Sequence, residues 1–426
     1  MLLFGALDNE VLLGKLKKVM EIRRVMSMSR RREKVMRRLT LHSRSRVFFR
    51  GVLSKFGSLT DLSSVSKALT NLVLVEKQVC TWSLLVIGAK RLPNDLATLC
   101  LVRLARKYHH TLRGVCKTWK SFVTSRLFVS MRKILGLSEG WIYVLSRDSS
   151  EYLHWDVLDP SQRRWMTLPP VPPSCSRRFG MACEVLDGQF FFIGGCEKYE
   201  DPTNEVHVFD SYQHKWKEVA CMDVARCYLA SGALDGKIYA IGGTGTMSGA
   251  LTSWEMFDPE KSQWHSYDDP SIIQDLGESL VMDGKIYVRH VSPTDGLSLY
   301  AARYDSVSKV WTLLDDEMTK RWYGPAVVLG KDAYMLDQTF GVKLLTLDKA
   351  NKCWDPVGRI SPLSIKTPCR LAVVGSTLFV VGRGLKVLAI DMEKSWKATG
   401  LLVTSPIMGT QIRANNVVVC CKTIYI

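Results

Sequence analysis

The chain is poor in the residue groupings that most site chemistries need. Its twelve cysteines include no C-x-x-C pair, and the one adjacent pair is Cys420-Cys421. Zinc is held by closely spaced thiolate or imidazole ligands, so no metal centre is expected. Twelve cysteines in 426 residues are too sparse for a secreted disulfide scaffold, which leaves free thiols in a reducing compartment as the reading. No apolar run reaches about 18 residues, so no membrane-spanning helix is expected. Nor is a secretory leader: Met1–Leu7 is short for an apolar core, and Asp8 and Glu10 stand where small cleavage-site residues would.

Acidic residues are scarce in the first third. Residues 1–90 hold 18 Lys/Arg against 6 Asp/Glu and residues 91–135 hold 10 against 1, whereas residues 136–426 hold 30 against 34. The net charge of +17 therefore comes entirely from the front, and the sign change near residue 135 marks a domain boundary. Hydrophobic residues at 46% and charged residues at 23% are ordinary globular values, which excludes wholesale disorder and fibrous architectures. At roughly 100–200 residues per domain, the length predicts two or three domains.

What the chain does have is a repeat. An aspartate precedes a tryptophan by six residues at Asp159/Trp165, Asp210/Trp216, Asp258/Trp264, Asp305/Trp311 and Asp348/Trp354, and by five at Asp391/Trp396. About 30 residues before most of these tryptophans stands a second signal, Leu186-Asp187-Gly188, Leu234-Asp235-Gly236 or Met282-Asp283-Gly284, each followed by an alternating strand. Weaker copies are Leu329-Gly330 and Val374-Gly375. Asp-Gly between two β-rich runs predicts a hairpin, because both residues tolerate positive φ. A third strand ends at the aspartate and a fourth begins at the tryptophan. Four-stranded units of this period cannot bury both faces alone; they stack radially as propeller blades.

With Gly194-Gly195 and Gly242-Gly243 ahead of the spaced tryptophans, the repeat resembles the kelch family. Arg289-His290 and Leu336-Asp337 replace the paired glycines in the fourth and fifth copies, so those blades depart from the pattern. The aspartate–tryptophan count gives six blades, at about 137–173, 174–221, 222–268, 269–315, 316–360 and 361–400. Trp141–Leu145 would be the second strand of the first blade, and the unused Asn416–Cys421 is expected to close the ring onto it, within a closing segment 401–426.

The segment ahead of the repeat reads as two or three short amphipathic helices. Pro93 suits a first helical turn; Leu96, Leu99/Cys100 and Leu104 recur at helical spacing, as do Leu112, Val115, Trp119 and Val123. About 45 residues bury little surface unaided, which suggests docking onto another protein. Residues 88–135 resemble an F-box, through Leu92-Pro93, Cys100-Leu101 and Val115-Cys116-Lys117-x-Trp119; Ala105 stands where that family often has proline. The order F-box, Trp141–Leu145, then kelch units is similar to the plant F-box/kelch-repeat proteins over roughly residues 88–426. The fold class expected is mainly β, a six-bladed kelch β-propeller at 137–426 preceded by a small all-α F-box.

The resemblance implies a non-catalytic adaptor of a Skp–cullin–F-box ubiquitin ligase. The F-box would dock on a Skp-type protein, and through it on a cullin–RING ligase, while the propeller holds a target for ubiquitination. By position, Leu92, Pro93, Leu96, Leu101, Leu104, Val115, Cys116 and Trp119 would face the Skp-type partner; the plainer reading is that some of them, Leu101 and Val115 in particular, only hold the helices together. Nine residues before each hairpin aspartate stand Arg178, Arg226, Gln274, Arg321 and Lys366, with the aromatics Phe179, Tyr228, Trp322 and Tyr323 beside the arginines. These would ring one mouth of the channel and favour an acidic or phosphorylated target; the plainer reading makes the arginines structural. The alternative function is a kelch interaction scaffold outside any ligase.

Residues 1–87 carry Arg23-Arg24, Arg30-Arg31-Arg32 and Arg37-Arg38 with serines interleaved. A nuclear-import patch, an organelle transit peptide and an unstructured extension without function compete here, and the last is favoured. A nucleic-acid partner is disfavoured because no stacking platform or groove-reading motif accompanies the charge. A copper site would need convergent histidines, but His207, His214, His265 and His290 fall in different strand registers. No cofactor is expected, and the cytoplasm, the nucleus or both is the expected location.

Overall fold

The computed structural model describes residues 86–87, 90–91, 94–198, 200–246, 252–269, 271–272, 276–291, 299–393, 402–410 and 413–426. The basic block of residues 1–87 lies almost wholly outside them. The chain divides into two compact units, residues 1–138 and 139–426.

In the first unit a two-residue ladder, β1 (Val86–Ile87) with β2 (Lys90–Arg91), precedes four helices: α1 (Asn94–Val102), α2 (His109–Val115), α3 (Lys117–Val123) and α4 (Arg126–Ile134). Residue chemistry sets the boundaries. The Cys116 thiol accepts the Trp119 N–H at 3.5 Å and opens α3. The Ser125 hydroxyl accepts the Phe128 N–H at 3.2 Å and opens α4, as N-cap residues do. Leu101, Val102, Leu104, Leu112, Trp119, Phe122, Val123, Phe128 and Met131 form one buried core. The second apolar layer that the sequence reading did not find is α4, which supplies Phe128 and Met131.

The second unit is a ring of six four-stranded sheets. Blade 1 holds β3 (Gly140–Arg147), β4 (Leu153–Asp159) and β5 (Arg164–Thr167). Blade 2 runs β6 (Ala182–Leu186), β7 (Gln189–Ile193), β8 (Val206–Asp210), β9 (Lys215–Glu218). Blade 3 runs β10 (Ala230–Leu234), β11 (Lys237–Ile241), β12 (Ser253–Asp258), β13 (Gln263–Asp268). Blade 4 runs β14 (Leu276–Met282), β15 (Lys285–Val291), β16 (Leu299–Asp305), β17 (Val310–Leu314). The short helix α5 (Glu317–Lys320) leads to blade 5, β18 (Ala326–Leu329), β19 (Asp332–Asp337), β20 (Val342–Asp348), β21 (Cys353–Ile360). Blade 6 runs β22 (Arg370–Val374), β23 (Thr377–Gly382), β24 (Lys386–Asp391), β25 (Thr404–Ile407). The last strand, β26 (Val417–Tyr425), returns to pair antiparallel with β3, so blade 1 has the order β26-β3-β4-β5. The inner strands β6, β10, β14, β18, β22 and β26 then touch in a closed circle, which leaves the ring no free sheet edge toward its axis.

Each blade buries one face against the next. Tyr239, Ile241 and Trp254 of blade 3 pack on Ile286, Val288, Tyr304 and Trp311 of blade 4, and equivalent clusters fill the next gaps. Between blades 1 and 2 the filling is aromatic: Trp155 meets the Phe190 ring edge-on at 4.6 Å and lies 6.0 Å from Trp216.

The repeated residues act locally. Asp187/Gly188, Asp235/Gly236 and Asp283/Gly284 all have positive φ, which two-residue type I′ hairpins require. In blades 1 to 5 the aspartate that ends the third strand accepts the N–H groups two and three residues on; for Asp210 these are Tyr212 and Gln213, at 2.9 and 2.8 Å. The residue four past the aspartate has positive φ in blades 1 to 5 (Arg163, His214, Ser262, Lys309, Lys352). The tryptophan at +6 then pairs with the residue before the aspartate, as Trp216 does with Phe209. Asp210→Ala removes two acceptor bonds and the 2.7 Å ion pair with Lys217. It is expected to cost about 1–2 kcal/mol, read as a lower midpoint in urea with an unchanged slope.

Blade 6 departs from the expectation. Its fourth strand begins at Thr404, not at the sixth tryptophan, and belongs to the 401–426 stretch assigned wholly to closure; Trp396 lies outside the described residues. The Asp391–Trp396 spacing is one residue too short for the turn just described.

Candidate functional site

In an antiparallel meander the first and third turns share one end, and the second turn and the link to the next blade share the other. Backbone bonds confirm that the second turns and the links lie together: Leu153 N–H to Ser176 O at 2.7 Å, Phe179 N–H to Cys196 O at 2.7 Å, and Arg383 N–H to Lys366 O at 3.0 Å. The expected rim residues that the structure describes sit at this end, but they do not form a cationic ring. Arg178 is buried, hydrogen-bonded to the Gly194 carbonyl at 3.4 Å and ion-paired with Glu205. Arg226 is fully buried; it donates to Gly242 O at 3.0 Å and Ser253 O at 2.9 Å, and pairs with the equally buried Glu255 at 2.7 Å. Burial pulls the Arg226 pKa down while Glu255 opposes the shift. The Arg178 hydrogen bond, opposed by some burial, holds the Glu205 carboxyl low. These two arginines clamp the carbonyl of the first glycine of each pair, so they are spent inside their own blades.

The rest of the rim is divided. Trp322 is fully buried, and Phe179 is half-buried with the Arg147 guanidinium 3.8 Å over its ring. Tyr228, Tyr323, Lys366 and Arg321 are exposed, the last 3.5 Å from Glu317. Gln274 lies outside the described residues. The sequence reading missed four apolar residues at this same end: Tyr152, Phe340, Leu363 and Met408, with Phe340 87% and Leu363 95% exposed. A signal for two of them was present, since Phe340 interrupts the turn Thr339-Phe340-Gly341 and Leu363 follows Ser361-Pro362 in a polar link.

The residues assigned to the Skp-type partner also divide. Leu101, Leu104 and Trp119 are the core of the helical unit and present no free surface. The reason is the fourth helix, which covers the apolar face assumed to be open. Val115 and Cys116 are half-buried against that core. Leu92, Pro93 and the Leu96 side chain lie outside the described residues. Arg106, His109 and Arg132 are the buried polar residues among the described ones of this unit. The Arg132 guanidinium donates to Val102 O at 2.7 Å, Leu104 O at 2.6 Å and also Leu137 O. His109, 3.3 Å from Leu104 O through Nε2, has its pKa lowered to about 3, chiefly by burial and then by Arg132; it is neutral and donates that bond.

Among the described residues, Asp348, Cys353 and Asp355 bring three possible metal ligands within 4.8 Å of one another. Asp348 already accepts the Ala350 and Asn351 N–H groups at 2.8 and 3.3 Å, and the Cys353 thiol leans on Asp355, which is the ordinary turn of this fold. The described cysteines are free thiols. Gly136-Leu137-Ser138-Glu139-Gly140 matches G-x-S-x-G in letters, but it connects helix α4 to strand β3, the reverse of the strand-to-helix elbow that exposes a nucleophile. No described helix is long and apolar enough to cross a membrane.

Comparison with known proteins places both units. The family described as "F-box domain" matches residues 90–130, and that described as "FKB95, Kelch-repeats domain" matches residues 168–399. The F-box/kelch-repeat protein SKIP4 of Arabidopsis thaliana is 36% identical over 333 residues, which is 77% of this chain and 92% of that protein. The F-box protein AFR of the same plant is 31% identical over 147 residues, 33% of this chain and 38% of that protein.

Proposed function

The chain belongs to the F-box/kelch-repeat family, and from that premise we propose that its helical unit docks on a Skp-type protein while its propeller holds a target for ubiquitination. An F-box ahead of kelch repeats is the architecture of non-catalytic substrate-recognition proteins of Skp–cullin–F-box ligases. The observation that carries the reading is the presence of both units, in that order, in one chain. Two surface features support it. Val115 and Leu99 pack on the helical core yet remain partly accessible, as docking residues must. The exposed side chains Tyr152, Tyr228, Tyr323, Phe340, Leu363 and Met408 all belong to the turn-and-link end of the propeller, where large apolar groups in water favour a protein partner.

The test is binding of the full chain to a purified Skp-type protein by calorimetry, beside Val115→Glu. The variant places a charge on a half-buried apolar contact without emptying the core. It is expected to keep its helical circular dichroism and to lose at least about tenfold in affinity, or ~1.4 kcal/mol. Wild type that folds and does not bind would leave a kelch scaffold instead.

A further inference from the structure

The sequence offers Arg178, Arg226, Arg321 and Lys366 as a basic rim, or the arginines as structural groups. The structure ties each of the three arginines to a glutamate. The arginine left over is Arg289, in the position where blades 2 and 3 carry a glycine of the pair. Along β15, Ile286 and Val288 face blade 3, whereas Tyr287 packs toward blade 5; Arg289 follows Tyr287 in that alternation and lies with its guanidinium 5.7 Å over the ring of buried Trp322, in the link to blade 5. It is 5% exposed, and its Nε and Nη1 meet no hydrogen-bond acceptor among the described residues. Burial and the positive charge of Arg370, from blade 6, push the Arg289 pKa down; Glu278, its cross-strand neighbour, counters them. Among the described residues two cations thus face one carboxylate and the Nε and Nη1 groups meet no acceptor, an arrangement that costs stability unless something accepts from them.

We propose that the Arg289 guanidinium, between blades 4 and 5 near the turn-and-link end of the propeller, binds an oxyanion, phosphate or carboxylate. A planar fork with unspent donors over an aromatic face is suited to that group. In the adaptor reading, on which this rests for its biological meaning, the oxyanion is the charged group of the target.

The test needs neither a Skp-type protein nor a target, so its failure and the failure of the adaptor reading are separate results. The melting temperature of the full chain is measured against inorganic phosphate and, in a second arm, acetate, each at constant ionic strength made up with chloride. A saturable rise of a few degrees at about tenfold the half-saturating concentration is expected in at least one arm, and the arm that responds identifies phosphate or carboxylate. Arg289→Met should lose the rise and, in chloride, melt at the wild-type temperature or above it, because an uncompensated buried charge has gone. Arg289→Lys, which keeps the charge without the fork, should need several-fold more anion. Lys309→Gln, on an exposed turn at the opposite end, should respond as wild type and exclude a general charge effect. No rise in wild type, an equal rise in Arg289→Met, or an unchanged half-saturation in Arg289→Lys would overturn the proposal. So would an Arg289→Met protein that melts several degrees lower or fails to fold, since the guanidinium would then serve a structural ion pair with Glu278.

Discussion

Arg132→Met is expected to melt the helical unit and leave the propeller folded. The guanidinium is buried and ties the end of α1 to the chain beyond α4 through the carbonyls of Val102, Leu104 and Leu137. Helix ends leave such carbonyls without intrahelical partners, and a cation there is favoured by the helix dipole. Methionine fills similar volume but donates nothing. Leu104 O keeps the His109 donor, but Val102 O and Leu137 O each lose the Arg132 bond, at about 1–3 kcal/mol for a carbonyl left unsatisfied. A unit of some 45 residues has roughly 2–7 kcal/mol of stability in all, so the loss consumes most of it. Helical circular dichroism should fall, and protease should cut within residues 94–138, while the propeller keeps its thermal transition. Unchanged protease resistance in that segment would refute the role given to Arg132.

Arg226→Met should be the most damaging single exchange within the ring away from its apolar cores. Glu255, fully buried, accepts from Arg226 and from the Asp223 and Val224 N–H groups at 2.6 and 3.1 Å. Removing the arginine leaves that carboxylate without its cation and takes a donor from the carbonyls of Gly242 and Ser253. Breaking one side of a buried pair costs about 3–5 kcal/mol, which for a domain of this size lowers the melting temperature by on the order of 10 °C. Adding Glu255→Gln should recover part of the loss, because the neutral amide oxygen can still accept from the Asp223 or Val224 N–H while no buried charge is left unpaired. Calorimetry of both variants decides the matter; a single variant within about 2 °C of wild type would mean the pair contributes little.

These two arginines also show where sequence reading stops. The Asp–Trp spacing was legible because its cause is local: Asp210 bonds to residues two and three positions on, and a short fixed turn follows. The register of Arg226 was equally legible. Its burial was not, because the partner Glu255 stands 29 positions away and nothing in the spacing reveals which way the side chain turns. The helical unit shows the same limit. Leu101, Leu104 and Trp119 lie on a visible apolar stripe, but a stripe that covers a core and one that meets a partner look alike. Only Phe128 and Met131 on α4 decide between them. Arg289 was read as a defect in the repeat, since a missing glycine pair is visible and the use made of its replacement is not.

The closure of the ring by β26 has a temporal side. A ribosome delivers blades 2 to 6 before it delivers Val417–Tyr425, the inner strand of blade 1. Until that strand emerges, β3 offers an unpaired edge, and β6 and β22 lack the neighbour that sits between them. Such edges attract chaperones or other chains. A chain cut short before residue 417 keeps them permanently, however well its other blades are formed. The arrangement makes the finished ring a certificate that translation has run at least to its closing strand, and it exposes interrupted products to quality control.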